Sequence, residues 1–256
     1  MTLPRVYQTE AIIIKRIKLG EADRILTLYT PELGKLKAVA KGTRRPQSKL
    51  GGHVELLTHS RLMLARGRNL DIITQAQTIN NFLIIKDDLE LISRGLYIAE
   101  LVDAFTGERI EDRRLFDLVL DALKQLSQAS DCELVLRYFE LHLLDHLGYR
   151  PQLQRCTECN LPLKPETNFF SPNHGGVLCH NCGFHEPAAR PISLNALKVL
   201  RLWQNCDYAN ARRVKISPEL AVELEQVMRE NIKYLLEKQL KSTAWLDKLK
   251  REIQQA

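Results

Sequence analysis

The chain has 256 residues and a formal net charge of +6, from 37 Lys and Arg against 31 Asp and Glu. This length suffices for two or three domains with separate cores. No run of about eighteen apolar residues occurs, and the start lacks the basic and apolar regions of a signal peptide, so neither a membrane span nor secretion is predicted.

The charge is distributed unevenly along the chain. Residues 1–80 carry fourteen Lys and Arg against six Asp and Glu, whereas residues 81–150 carry eight against fourteen. Residues 151–256 are again basic, with fifteen against eleven. A basic first segment beside an acidic second one indicates a polyanionic partner for the first.

The first eighty residues have the pattern of a small β-barrel. Short runs rich in Ile, Leu, Val, Thr and Tyr, separated by turn residues, predict strands over 9–18, 24–30, 35–41, 54–65 and 70–78. A tight turn is expected at residues 31–34, where Pro31 and Gly34 flank Glu32 and Leu33. Five such strands favour a closed oligonucleotide-binding (OB) barrel.

The third predicted strand alternates in a way that separates core from surface. Leu36, Ala38 and Ala40 should face the core. The opposite face should carry a cationic stripe, formed by Lys35, Lys37 and Lys41.

A basic, glycine-rich loop follows that strand. It contains Lys41, Arg44, Arg45 and Lys49 with Gly42, Gly51 and Gly52, and a second basic turn is Arg66-Gly67-Arg68. Such side chains and flexible backbone can contact phosphates, although a merely solvated loop is the alternative. Because Tyr7 and Tyr29 are the only aromatic residues in the first eighty, phosphate electrostatics should outweigh base stacking.

The pattern changes to helical near Asn80. Apolar residues at three- and four-residue steps predict amphipathic helices over 82–99, 115–126 and 133–147, with left-handed glycines at Gly107 and Gly148. After residue 190, Ser193 and Ser217 are expected N-caps for helices over 194–203 and 219–237, and a last helix is predicted over 244–253.

Two close cysteine pairs lie between these helical segments. Cys156 and Cys159 precede Cys179 and Cys182 by nineteen intervening residues. This spacing predicts a structural four-thiolate zinc site, one Zn²⁺ per chain, and a redox-active Cys-x-x-Cys is the alternative. The histidines of the segment, His174, His180 and His185, are possible substitute ligands but are expected on the surface.

These patterns predict an α+β, multidomain chain. The expected domains are an OB barrel over 1–80, a helical domain over 81–150 and 190–256, and an inserted zinc module over 151–189. No phosphate-binding glycine loop, nucleophile elbow or metalloprotease helix occurs, so no catalytic residue is assigned. Paired thiols together with lone cysteines fit a reducing cytoplasm.

Several segments, taken in order, resemble the bacterial RecO family of DNA repair proteins. They cover most of residues 5–200 and include, from the sequence, 10–14 (EAIII), 20–25 (GEADRI), 38–46 (AVAKGTRRP), 66–68 (RGR), 74–76 (TQA), 139–149 (FELHLLDHLGY), 170–179 (FSPNHGGVLC) and both cysteine pairs. The resemblance implies an N-terminal OB barrel, a helical domain and a zinc module.

The resemblance also implies a non-catalytic role in recombinational repair. Members of the family bind and anneal single- and double-stranded DNA, act with RecR, contact the C-terminal tail of single-strand-binding protein and help RecA to load. The expected DNA-binding residues are Lys15, Arg16, Lys35, Lys37, Lys41, Arg44, Arg45, Lys49, Arg66 and Arg68. For the acidic tail, Arg137 is the candidate contact, although it could instead pair with Glu133 or Glu140.

Two other functions are compatible with the residues alone. One is a zinc-ribbon factor that binds RNA or a polymerase, which a comparison of DNA with RNA of the same sequence would separate. The other is a zinc enzyme, which would need three protein ligands and an open position.

Overall fold

A computed structural model describes residues 5–128 and 131–237, together with 240, 242–243 and 246–247. The chain forms two compact units, one of residues 1–129 with 240–256 and the other of residues 130–239. This division places residues 81–129 with the barrel, whereas the sequence grouped them with the later helices. No helix in the described part of the chain is long and apolar enough to cross a membrane.

The first unit contains a closed five-stranded barrel with strand order β1-β2-β3-β5-β4. Its strands are β1 (Val6–Leu19), β2 (Asp23–Thr30), β3 (Gly34–Ala40), β4 (His59–Ala65) and β5 (Asp71–Asn80). The strands pair antiparallel except for β3 and β5, which are parallel. The OB architecture predicted from the sequence is therefore confirmed.

Alternating apolar residues build the barrel core. Leu36, Ala38 and Ala40 on β3 are buried together with residues from the other four strands. The predicted turn before β3 is also present, with Gly34 at a φ of +59°. A Cβ at Gly34 would lie 1.8 Å from the carbonyl oxygen of Ile110, so no other residue fits there.

The fourth strand is shorter than the sequence predicted. Residues 54–58 are not a strand, because a 3₁₀ helix covers Gly51–Val54 and Leu57 has a φ of +61°. Val54 and Leu57 are nevertheless fully buried. Their apolar character therefore reflects burial of an irregular segment. A short apolar run does not by itself distinguish a buried strand from a buried segment without regular structure.

Three helices follow the barrel in the described part of the first unit, and the first of them is only five residues long. Their bounds are α1 (Leu83–Asp87), α2 (Leu89–Phe105) and α3 (Arg113–Leu126). The single helix predicted over 82–99 is wrong, because extended Asp88 divides it and caps α2 by accepting from the N–H groups of Glu90 and Leu91. Gly107 does not adopt the predicted left-handed conformation; Arg109 does.

One buried carboxylate ties the barrel to the segment that follows α2. Asp71, at the start of β5, accepts hydrogen bonds from the Tyr7 hydroxyl (2.6 Å), an Arg109 guanidinium nitrogen (3.0 Å) and the Gly67 N–H (3.3 Å). Burial raises the pKa of Asp71, but these three donors outweigh it and lower the pKa below its ordinary value.

The second unit combines helices with a three-stranded sheet of order β7-β6-β8. Its elements are α4 (Cys132–His146), β6 (Asn168–Ser171), β7 (Gly176–Leu178), α5 (His180–Phe184), β8 (Arg190–Ile192), α6 (Leu194–Trp203), α7 (Tyr208–Ala211) and α8 (Pro218–Leu236). Both predicted N-caps are confirmed, because Ser193 accepts from the N–H of Ala196 and Ser217 from that of Leu220. Gly148 is left-handed as expected.

The helix predicted over 244–253 lies outside the described residues, apart from residues 246–247, which are helical. We call residues 151–192 the cysteine module below.

Candidate nucleic-acid interface and metal centre

The basic loop after β3 is held against the turn between β1 and β2. The Gly42 N–H donates to the Asp23 carboxylate at 2.7 Å, and the Arg44 N–H donates to the Ala22 carbonyl at 3.0 Å. The Arg44 guanidinium donates to the Gly20 carbonyl at 3.1 Å. The loop therefore has a defined path, and its cations are presented from one end of the barrel.

The cations of this loop are exposed. The exposed residues are Lys41, Arg44, Arg45 and Lys49, and Arg68 on the β4–β5 turn shares this property. Within the part of the chain that the structure describes, no carboxylate lies within salt-bridge distance of any of these five. Their charges are therefore available to an external anion such as phosphate.

Three of the other predicted DNA-binding cations, Lys15, Lys35 and Lys37, already have carboxylate partners. Asp103, on α2, accepts from Lys15 at 2.8 Å and from Lys35 at 3.3 Å. Lys37 donates to Glu108 at 2.5 Å. Lys35 is only 8% exposed, so the stripe of three lysines expected on β3 does not form a continuous cationic face.

Two further predicted residues, Arg16 and Arg66, are also engaged. The Arg16 guanidinium bonds the Glu55 carboxylate. Arg66 lies over the Tyr7 ring, with 5.0 Å between the guanidinium carbon and the ring centroid. The second tyrosine, Tyr29, is 1% exposed. The two barrel tyrosines are thus covered or buried, in agreement with the expected lack of stacking platforms.

The four cysteines of the two pairs converge on one point. All four sulfur atoms lie within 4.8 Å of one another, and the Cys159 and Cys179 sulfurs, one from each pair, are 3.8 Å apart. Tetrahedral coordination with metal–sulfur bonds of about 2.3 Å places sulfur atoms about 3.8 Å apart. The cluster therefore has the donors and the dimensions to hold one metal ion.

Backbone hydrogen bonds shape the cluster. The Asn160 N–H donates to the Cys156 carbonyl at 2.9 Å, with Asn160 left-handed at φ +56°, and the Gly183 N–H donates to the Cys179 carbonyl at 2.9 Å. Gly176 lets the chain at Gln152 approach closely, since a Cβ there would lie 2.3 Å from the Gln152 oxygen. The loops thus fix the sulfurs through main-chain contacts.

The pKa values of the thiols differ within the cluster. Burial raises the pKa of Cys156, but N–H groups of Cys179, Cys159 and Glu158 outweigh burial and lower it to about 6. Burial and the neighbouring thiols raise the pKa of Cys182 to about 12. The protein alone therefore favours one thiolate and opposes another, whereas a bound divalent cation would stabilise four.

The histidines of the cysteine module do not belong to the cluster. The metal-competent group found among the described residues contains the four cysteines alone. His174 is engaged elsewhere, with one ring nitrogen 3.3 Å from the Glu158 carboxylate and the other 3.1 Å from the Ser171 hydroxyl. A four-sulfur site without an open position suits a structural ion.

Arg137 lies inside the second unit. Its side chain is 6% exposed and pairs at 2.7 Å with Glu140, whose side chain is fully buried. This is one of the local pairings that the sequence allowed. The sequence signal was the i, i+3 spacing on α4, which does not by itself reveal burial.

Comparison with protein families decides the relationship. Residues 1–82 match the family model "Recombination protein O N terminal", and residues 86–244 match "Recombination protein O C terminal". The chain belongs to the recombination protein O (RecO) family. The barrel described above coincides with the N-terminal match, and the cysteine module lies within the C-terminal match.

Curated RecO proteins are similar to the chain over nearly its whole length. The DNA repair protein RecO of Dehalococcoides mccartyi strain 195 is 44% identical over 98% of this chain and 99% of its own. That of Roseiflexus sp. strain RS-1 is 45% identical over 97% of this chain and 88% of its own. That of Desulforamulus reducens is 35% identical over 96% of this chain and 95% of its own. The family therefore places the chain in DNA repair.

Proposed function

We propose that the chain is a non-catalytic recombination mediator that binds single- and double-stranded DNA and anneals complementary strands. The observation that carries this proposal is the set of exposed cations without carboxylate partners on the loop after β3. Membership of the RecO family gives that surface its context in DNA repair.

DNA contacts are centred on the loop end of the barrel in this proposal. The contacts to phosphate come from Lys41, Arg44, Arg45, Lys49 and Arg68. Lys15, Arg16, Lys35, Lys37 and Arg66 contribute less, because each already interacts with a carboxylate or a ring within the first unit. Binding through phosphates is independent of sequence, as annealing of arbitrary strands requires.

The metal of the cysteine module is Zn²⁺ in this proposal, held by Cys156, Cys159, Cys179 and Cys182. Four thiolates at tetrahedral spacing favour zinc over the harder cations, which prefer oxygen ligands. The ion would cross-link the two cysteine pairs and fold the loop between them. The barrel has its own apolar core and does not need the ion.

Protein partners are proposed from family membership. They are RecR, the C-terminal tail of single-strand-binding protein and, functionally, RecA on coated single strands, in the cytoplasm and at the nucleoid. Arg137 is the candidate for the terminal carboxylate of the tail. To bind it, Arg137 would exchange its ion pair with Glu140 for one with the peptide.

The experiment compares wild-type binding to single-stranded DNA, duplex DNA and RNA of one sequence, followed by annealing of complementary oligonucleotides coated with single-strand-binding protein. Support requires DNA binding, faster annealing than the spontaneous rate, and retention of RecR in a pull-down. Preference for RNA over both DNA forms, or DNA binding without faster annealing, would contradict the proposal.

A further inference from the structure

Four aromatic rings lie in series on the cysteine module. The ring of Phe169 on β6 is 6.1 Å from that of His180, which is 6.5 Å from that of Phe184, which in turn is 5.5 Å from that of His185. His180, Phe184 and His185 are exposed, and Phe184 reaches 73%. The row thus contains a phenyl ring, that of Phe184, which lies largely in water between two exposed imidazoles.

The position of this exposed ring is fixed from beneath. Phe184 follows Gly183, whose buried backbone lies directly on the Phe169 side chain, since a Cβ at Gly183 would be 2.5 Å from that ring. Cys182 precedes Gly183, and the Gly183 N–H is bonded to the Cys179 carbonyl. Two cysteines of the metal cluster therefore hold the short helix that carries Phe184.

The surroundings of Phe184 suit a flat aromatic ligand. Its ring contacts are the imidazoles of His180 and His185, and both of these residues are themselves exposed. The cysteine module as a whole is balanced, with three Lys and Arg against three Glu. This surface therefore offers stacking and hydrogen bonding, and it offers no concentrated positive charge for phosphates.

The described residues of the barrel, 5–80, lack such a surface. Its basic loop provides cations, while Tyr29 is buried and Tyr7 is covered by Arg66. A protein that holds single strands benefits from both features, because phosphate contacts do not distinguish paired from unpaired bases and stacking requires an unpaired one.

We propose that Phe184, flanked by His180 and His185, stacks on an unpaired base of single-stranded DNA. This rests on the proposed DNA-binding function and adds to it a second contact that selects single strands. A nucleobase presents the flat face that the exposed ring matches. A protein partner would instead have to enclose the ring in an apolar pocket. In that case Phe184→Ala would leave the affinity for single strands unchanged.

The test uses the full, metal-loaded chain with Phe184→Ala, Phe184→Trp and Leu161→Ala. Leu161 is the matched control, because it follows Cys159 at the same offset, is 62% exposed and has no ring. Affinity for a thirty-residue oligothymidine and for a duplex of equal length is measured at low and high salt. Metal content is determined for every variant.

Phe184→Ala should weaken single-strand binding by about 5- to 150-fold, the effect of losing one stacked base. The salt dependence should stay unchanged, since no phosphate contact is lost. Duplex binding should also stay unchanged. Phe184→Trp should bind at least as tightly as wild type and show quenching of the added indole fluorescence by single strands, and Leu161→Ala should behave as wild type.

Wild-type affinity of a metal-loaded Phe184→Ala for single strands would overturn the proposal. An equal loss on single strands and duplex would overturn it as well. If wild type binds neither form of DNA, the proposed function itself fails, which is distinguishable from either result.

Discussion

The separation of barrel cations into two groups leads to a quantitative prediction. A variant with alanine at Lys41, Arg44, Arg45 and Lys49 removes four exposed charges without carboxylate partners. Each lost phosphate contact should reduce the salt dependence of the logarithm of the binding constant by about 0.9 on duplex DNA and about 0.7 on single strands. Four contacts correspond to about 3.6 and about 2.8.

These slopes translate into measurable affinities. When salt rises from about 50 to about 200 mM, wild-type duplex binding should weaken about 150-fold more than that of the variant. Fluorescence anisotropy across this range gives both slopes from one titration series. The loss should be the same for different DNA sequences, because phosphates carry no base identity.

The matched control removes four charges that are already paired. Lys15, Lys37, Arg61 and Arg113 lie within 4.0 Å of carboxylates. Their simultaneous replacement by alanine changes the net charge by the same amount, and surface pairs of this kind contribute only about 0–1 kcal/mol each to stability. If the control loses the salt dependence and the loop variant keeps it, the assignment of phosphate contacts to the loop is refuted.

Three further predictions concern the metal, a buried ion pair and pH. Native mass spectrometry should find one zinc per wild-type chain. The variants Cys156→Ser and Cys179→Ser should lose the zinc and show faster hydrogen exchange in residues 151–189 but not in the barrel. Wild-type protein that is purified under reducing conditions and contains no zinc would contradict this prediction. Arg137→Ala should lower the free energy of unfolding in urea by about 3–5 kcal/mol, because Glu140 stays buried without this partner, and Arg137→Met with Glu140→Leu should recover most of the loss. Burial lowers the pKa of His59 despite its contact with Glu10, so its contribution to stability should be present above pH about 6.5 and decline below it; a urea midpoint that falls as steeply in His59→Gln would show that another group is responsible.

Much of the architecture follows from local patterns in the sequence. Runs rich in Ile, Leu, Val, Thr and Tyr and bounded by turn residues located the five barrel strands, and Ser193 and Ser217 located two helix starts, because each signal depends on a few neighbouring residues. The cysteine spacing identified all four members of the cluster for the same reason. Distances between their sulfurs depend on the folded loops and required the structure.

The misassigned features depend on residues far apart in the chain. Leu57 is apolar because it packs beneath Gly95 of α2, where a Cβ would lie 2.6 Å from it, and not because it lies in a strand. Lys35 has the alternation of a surface residue, yet its ammonium group bonds Asp103, 68 positions away. Sequence patterns predict which face of a strand a residue lies on. They do not predict which residue of another element it contacts there.

The parallel seam of the barrel has a consequence for where the chain can be divided. Strands β3 and β5 pair only through Ala38 with Asp71 and Val39 with Ile72, and the side chain of Asp71 reinforces this closure by binding Tyr7 and Arg109. A fragment ending at residue 82, where the N-terminal family match stops, would keep all five strands. Asp71 would then lack its contact with Arg109, and Lys35 would lack its contact with Asp103. The end of the N-terminal family match therefore lies inside the compact unit formed by residues 1–129 and 240–256, and a truncation that retains residues through α3 should be more stable than one that ends at residue 82.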